Sequence, residues 1–195
     1  MGKKIKSKKN FLRRKGFSFI ESILAVFLVS VGVVAGLKLL TSGLKDSMES
    51  RDQFAASLLA QEGVELVRNI RDNNWVDNNP DTASFNGIDG STSNGIRKID
   101  YNENTLTTDG GARLHMVGGF YERSGGTGTK FYRRIYIYNG TDTRIVTSVV
   151  IWSAGDWPSG FGSNMSDPSN DNTLKNCNTS TKCAYTQIIL NKWGE

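Results

Sequence analysis

Apolar residues fill positions 17–37 almost without a break. The pattern then becomes mixed, and Leu40, Leu44, Met48, Ala55, Leu58, Leu59, Leu66 and Ile70 recur close to every 3.6 residues. The first run is 21 residues long, with Glu21 as its one charged side chain. At about 1.5 Å per residue it reaches roughly 30 Å, the thickness of a bilayer's hydrocarbon core. No proline occurs between positions 17 and 79, so the pattern predicts one helix from about 18 to about 73, some 80 Å long by that rise. Its outer half is expected to lay an apolar stripe on a globular head while Lys45, Asp46, Glu49, Arg51 and Asp52 face solvent. Asn73, Asn74, Asp77, Asn78, Asn79 and Pro80 supply the stop signal.

Past the stop signal the repeat changes. Residues 81–111 are rich in Asn, Gly, Ser, Thr and Asp and read as loops with at most a short strand over 96–101. Strand character follows over 113–121, 131–138, 144–152 and 185–193. The alternation in Arg134-Ile135-Tyr136-Ile137-Tyr138 and in Ile145-Val146-Thr147-Ser148-Val149-Val150-Ile151 suits a half-buried antiparallel sheet, and Asn139-Gly140 is a hairpin signal between two of these runs. The expected fold is α+β: a long N-terminal helix, transmembrane in its inner half and amphipathic in its outer half, packed on a small antiparallel sheet. Its expected divisions are a basic leader (1–16), a transmembrane segment (17–42), an amphipathic continuation (43–74) and an extracytoplasmic head (75–195).

Charge sharpens this picture. The chain's 24 Lys and Arg against 19 Asp and Glu give +5. Lys3, Lys4, Lys6, Lys8, Lys9, Arg13, Arg14 and Lys15 all precede the apolar run, with no acid among them. The remaining 179 residues carry a net −3. The basicity therefore belongs to a tail, and a nucleic-acid-binding body is not expected. Positive charge before the run and little after it holds the N-terminus in the cytoplasm and sends the head across the membrane. In that compartment Cys177 and Cys183, six positions apart in a polar setting, are expected to form a disulfide.

Candidate chemistry in the head is sparse. His115 is the chain's single histidine, which excludes multi-His metal sites, and between Leu114 and Met116 it reads as a satisfied structural residue. Ser124-Gly125-Gly126-Thr127-Gly128-Thr129-Lys130 looks like a phosphate loop, but Lys130 stands where the second Gly of GxxxxGK[ST] belongs; a flexible hairpin tip is expected. Arg133 and Arg134 alternate across the sheet and make no common basic face. Asp167 and Asp171 lie in an acidic, amide-rich loop that lacks the spacing of a defined calcium site, so they are a weak metal candidate and mainly a solvated loop. No catalytic residue or cofactor site is assigned. Glu62, Glu65, Arg68 and Arg71 are expected to form spaced charge pairs at a partly buried helix end.

Three readings compete for the N-terminus: a cleaved secretory signal, a plain signal anchor and a prepilin signal. The apolar run exceeds the 7–15 residues of a secretory signal and contains a carboxylate. An ionised group at a bilayer's centre costs about 2.5–3.5 kcal/mol, less near the interface, so Glu21 calls for a partner that a lone helix does not supply. Gly32-Val33-Val34-Ala35-Gly36 is a GxxxG pattern that permits close helix contact; equally, these glycines with Gly43 weaken the helix.

Lys15-Gly16-Phe17-Ser18-Phe19-Ile20-Glu21, after a basic leader and before a 21-residue apolar run, resembles the processing signal of the type IV pilin family and its type II secretion pseudopilin relatives. Gly16 matches the residue before the cut, Phe17 the new N-terminus and Glu21 the fifth-position carboxylate. Residues 61–72 and the terminal Ile188-Ile189-Leu190-Asn191-Lys192-Trp193 are similar to minor pilins of the PilV and PulI kind.

The resemblance implies a structural, minor subunit of a type IV pilus or related filament: cleavage after Gly16 by a prepilin peptidase, N-methylation of Phe17, and pairing of Glu21 with the N-terminal amine of a neighbouring subunit. It implies packing with other pilin subunits through the N-terminal helix, and residence in the cytoplasmic membrane before assembly. The 16-residue leader is longer than that of many type IVa pilins. A type II secretion pseudopilin shares every N-terminal feature, and a membrane-tethered extracytoplasmic enzyme is the alternative of another class.

Overall fold

The computed structural model describes residues 16, 18–78, 85–88, 95–100, 103, 106–107, 113–152, 157, 174, 177 and 181–192. Its elements are α1 (Phe19–Asn78), β1 (Gly95–Arg97), β2 (Arg113–Val117), β3 (Phe120–Glu122), β4 (Thr127–Asn139), β5 (Thr143–Trp152) and β6 (Cys183–Asn191). The architecture is α+β, as expected. The chain divides into two compact units, Met1–Asp46 and Ser47–Glu195.

In the first unit, the described part of α1 is exposed throughout, from Phe19 to Asp46. The helix is long and apolar enough to cross a membrane.

In the second unit, α1 lies on an antiparallel sheet ordered β3-β2-β4-β5-β6, with β1 paired to β4 beside β2. The buried stripe of the helix is Ala56, Leu59, Ala60, Gly63, Val64, Val67, Ile70 and Arg71. Leu59, Val64, Val67 and Ile70 each remove a side chain from water worth about 1.5–3 kcal/mol. Val64, Val67 and Ile70 meet Ile135, Ile137, Val146 and Leu190, while Ala56, Leu59 and Ala60 meet Leu114, Phe131, Val150 and Trp152. These sheet residues sit two apart along each strand, because successive strand side chains point to opposite faces. On the sheet's other face, Tyr136, Val149, Ile151 and Cys183 are covered by Leu174 and Trp157, and the Cys177–Cys183 disulfide ties that cover to the start of β6.

Small residues let the helix approach closely. A Cβ at Gly63 would stand 2.4 Å from Ser148 Oγ and 3.1 Å from Arg133 Cδ, so a larger residue there must push the sheet away.

Several expectations change. The expected stripe is met in part: Leu59 and Ile70 are buried and Ala55 and Leu66 pack against the core, whereas Leu44, Met48 and Leu58 are exposed. Glu49 and Asp52 do not simply face solvent. Trp152 Nε1 donates to Glu49 Oε1 at 3.0 Å, and Lys130 Nζ stands 2.5 Å from Asp52 Oδ2. The helix runs to Asn78, because its Asn and Asp residues are tolerated until Pro80 restricts the residue before it.

Residues 113–121 are a hairpin rather than one strand, since Gly118 and Gly119 hold φ of 57° and 94°, the left-handed values a two-residue turn needs. The Gly-rich segment is not a hairpin tip. Thr127–Lys130 belong to β4, and Ser124, Gly125 and Gly126 carry the chain from β3 past β2 to β4, two strands that are not neighbours. Gly126 passes so close to the Met116 carbonyl that a Cβ there would lie 2.1 Å from the oxygen.

Candidate functional site

The residues that the sequence singles out for processing stand at the start of α1. Gly16 is exposed, and a Cβ added to it would meet nothing within 4 Å. Phe17 lies outside the described residues. Ser18 opens the helix: its carbonyl accepts the N–H of Glu21 at 3.0 Å and of Ser22 at 3.1 Å. Glu21 falls in the first turn.

This placement gives Glu21 one stabilising contact of its own. The first turn exposes the positive end of the helix dipole, which favours a carboxylate by about 0.3–1 kcal/mol. That falls short of the roughly 2.5–3.5 kcal/mol cost of a charge at a bilayer's centre. By contrast, Ser30 Oγ donates to the Val26 carbonyl at 2.7 Å, and Thr41 Oγ1, just past the run, to that of Leu37 at 2.8 Å. The Glu21 carboxylate has no hydrogen bond or ion pair among the described residues. Gly32, Gly36 and Gly43 likewise face open space, with nothing within 4 Å of a built Cβ.

In the head, a small cavity is lined by Lys98, Ile99, Arg113, Leu114, Arg123, Arg133 and Ile135. Its cations are engaged. Arg133 Nη1 donates to Glu62 Oε1 at 3.0 Å and to the Leu59 carbonyl at 3.2 Å, and Nη2 donates to the Ile99 carbonyl at 3.1 Å. Arg123 donates to Asp100, Glu103 and Thr107, and Arg113 Nε to the Thr129 carbonyl at 2.8 Å. The cavity is a knot that ties Ile99, Asp100, Glu103, Thr107 and α1 to the sheet, and among the described residues it offers no convergent set of unused donors.

The expected helix-end charge pairs form in part. Arg68 pairs with Glu65 at 2.5 Å, but Glu62 pairs with Arg133 of β4 and Arg71 with Asp72. His115 departs from its satisfied reading, because its Nδ1 is shielded from water and has no partner among the described residues. Asp167 and Asp171 lie outside the described residues. Among those that are described, no group of three or more His, Cys, Asp or Glu could hold a metal ion. Arg133, Gly63 and Ser148, which fix the helix to the sheet, were not identified as a unit from the sequence. A small residue inside the apolar stripe was the available signal for Gly63.

Comparison with protein-family models, with curated proteins and with solved structures returns no match.

Proposed function

We propose that this chain is a prepilin-type subunit, a minor component of a type IV pilus or related filament, made with a leader that is removed after Gly16 and then N-methylated at Phe17. The observation that carries the reading is the Glu21 carboxylate, without a partner among the described residues, in the first turn of an exposed apolar helix and four positions after Phe17 of a Gly16-Phe17 step. In this reading a prepilin peptidase acts at the cytoplasmic face, where Gly16 leaves the backbone open because it has no Cβ. The new α-amine is a cation, and a neighbouring subunit's Glu21 is the anion that pairs with it. The helix is held by the cytoplasmic membrane first and by other subunits' helices afterwards, with the head outside the cytoplasm throughout.

Mass spectrometry of the mature protein purified from cells tests the reading. An N-terminus at Phe17 carrying one methyl group is expected. A chain that starts at Met1 or at Gly36 refutes it.

A further inference from the structure

The residues of the sheet's last described strand carry none of the usual protections of an edge. β6 runs nine residues without a charge, a proline or a glycine. Its partners on β5 follow in unbroken register from Thr143↔Asn191 to Ile151↔Cys183. Among the described residues nothing pairs with its other side. Sheet edges are ordinarily blunted by a charge, a proline or a bulge, because unpaired N–H and C=O groups template further strands. β6 has none of these.

Two hydrogen bonds fix which backbone groups face the edge. Trp152 N–H donates to the Lys182 carbonyl and Lys192 N–H to the Asp142 carbonyl, each at 3.0 Å. Bonding positions alternate along an antiparallel ladder, so the even-numbered residues of β6 turn toward β5. Tyr185, Gln187 and Ile189 therefore turn their N–H and C=O groups outward. Their side chains are exposed as well, Ile189 at 63% and Tyr185 at 44%. Lys182 and Lys192 bracket the strand; both are exposed, and neither ammonium has an ion pair among the described residues.

We infer that the free edge of β6 is a strand-addition site for an extended segment of a partner protein that is uncharged in its middle and acidic at both ends. Main-chain bonds at Tyr185, Gln187 and Ile189 supply the affinity, the Tyr185 and Ile189 side chains grip alternate apolar side chains of the incoming strand, and the two lysines select its ends. A second copy of this chain fits worse: two β6 strands paired antiparallel about Gln187 set Lys182 opposite Lys192 at both ends, and like charges directly opposite each other are unfavourable. The inference rests on the sheet edge alone and is independent of the filament reading.

The test is fluorescence anisotropy of the full chain in detergent with a labelled peptide, alternating Thr and Val over about nine residues and ending in glutamates on both sides. Saturable binding is expected, about tenfold weaker when lysines replace the glutamates, and about tenfold weaker when alternate peptide nitrogens are methylated. Lys182→Glu with Lys192→Glu exchanges the preference to the lysine-ended peptide. Gln187→Pro removes one outward N–H and no β5 ladder bond, so binding falls by about tenfold while the tryptophan emission of the folded sheet is retained. The inference is overturned if the folded chain does not bind the glutamate-ended peptide, or if binding ignores both the charge reversal and the methylation. Disulfide-linked dimers of a Gln187→Cys chain formed without peptide also overturn it, assigning the edge to a second copy.

Discussion

The two halves of α1 share one backbone geometry and have opposite surroundings. From Ser18 to Met48 every residue is exposed, whereas from Ala56 to Arg71 one face is closed against the sheet. The contrast extends to single residues. Gly43 has nothing within 4 Å of a built Cβ, while at Gly63 the same atom collides with Ser148. Glu62 is paired with Arg133, and Glu21 has no counterpart among the described residues. A helix face that alternates small and branched residues is completed by its own sheet. A face that is uniformly apolar needs something outside the chain, a lipid or another helix, to complete it.

The largest effects are expected where the proposed outside partner is removed. Gly16→Val should abolish leader removal, seen as an unshifted band on a gel. Glu21→Ala should be processed normally, yet its recovery in sheared filaments should fall by about tenfold or more, as loss of a paired charge worth more than about 1.4 kcal/mol would produce. Normal filaments from that variant would erase the distinction between the two halves.

Within the head, Arg133→Ala leaves the Glu62 carboxylate and the Leu59 and Ile99 carbonyls without their donor. It should cost about 3 kcal/mol in urea unfolding followed by tryptophan fluorescence. Gly63→Ala should cost about 2 kcal/mol in the same measurement through overpacking. Gly43→Ala should cost nothing there, because a Cβ at Gly43 meets only open space and alanine is the better helix former. Equal losses at the two glycines would show that the close approach at Gly63 is not what holds the helix to the sheet.

Smaller effects refine the comparison. Replacing both Cys177 and Cys183 by Ser opens a loop of six-residue separation and should lower stability by about 2 kcal/mol at most on the loop-entropy account. Glu65→Ala removes an ion pair in which Glu65 is 59% and Arg68 39% exposed, so after solvent screening the change should stay within about 0.5 kcal/mol.

The long helix, the antiparallel sheet and the Asn139-Gly140 hairpin were legible because each rests on a short-range signal: period, composition or a turn dipeptide. The Cys177–Cys183 bridge was legible from its spacing and expected compartment. The register of the helix on the sheet was legible only in part. Of the expected stripe Leu59 and Ile70 are buried, yet Leu44, Met48 and Leu58 are exposed, and the rest of the contact is made by Ala56, Ala60, Gly63 and Val67. Periodicity ranks faces by apolarity, while contact is decided by which face lets two backbones come close.

Glu49 and Asp52 were misread for a related reason, since a charged residue on a helix says nothing about a Trp or Lys supplied from 78 or more positions away. The Gly-rich loop resembled a hairpin tip because turn chemistry reports the bend and not which strands it joins.

The sequence by itself determined that a membrane-length apolar helix opens the described chain, with one carboxylate in its first turn, because length, hydropathy and charge act locally. Only the tertiary structure decided that α1 seats on β4 and β5 through Gly63, that Arg133 pairs with Glu62, and that β6 stands last in the sheet among the described residues. Those outcomes depend on shape and on pairing between distant segments, and no local pattern encodes them.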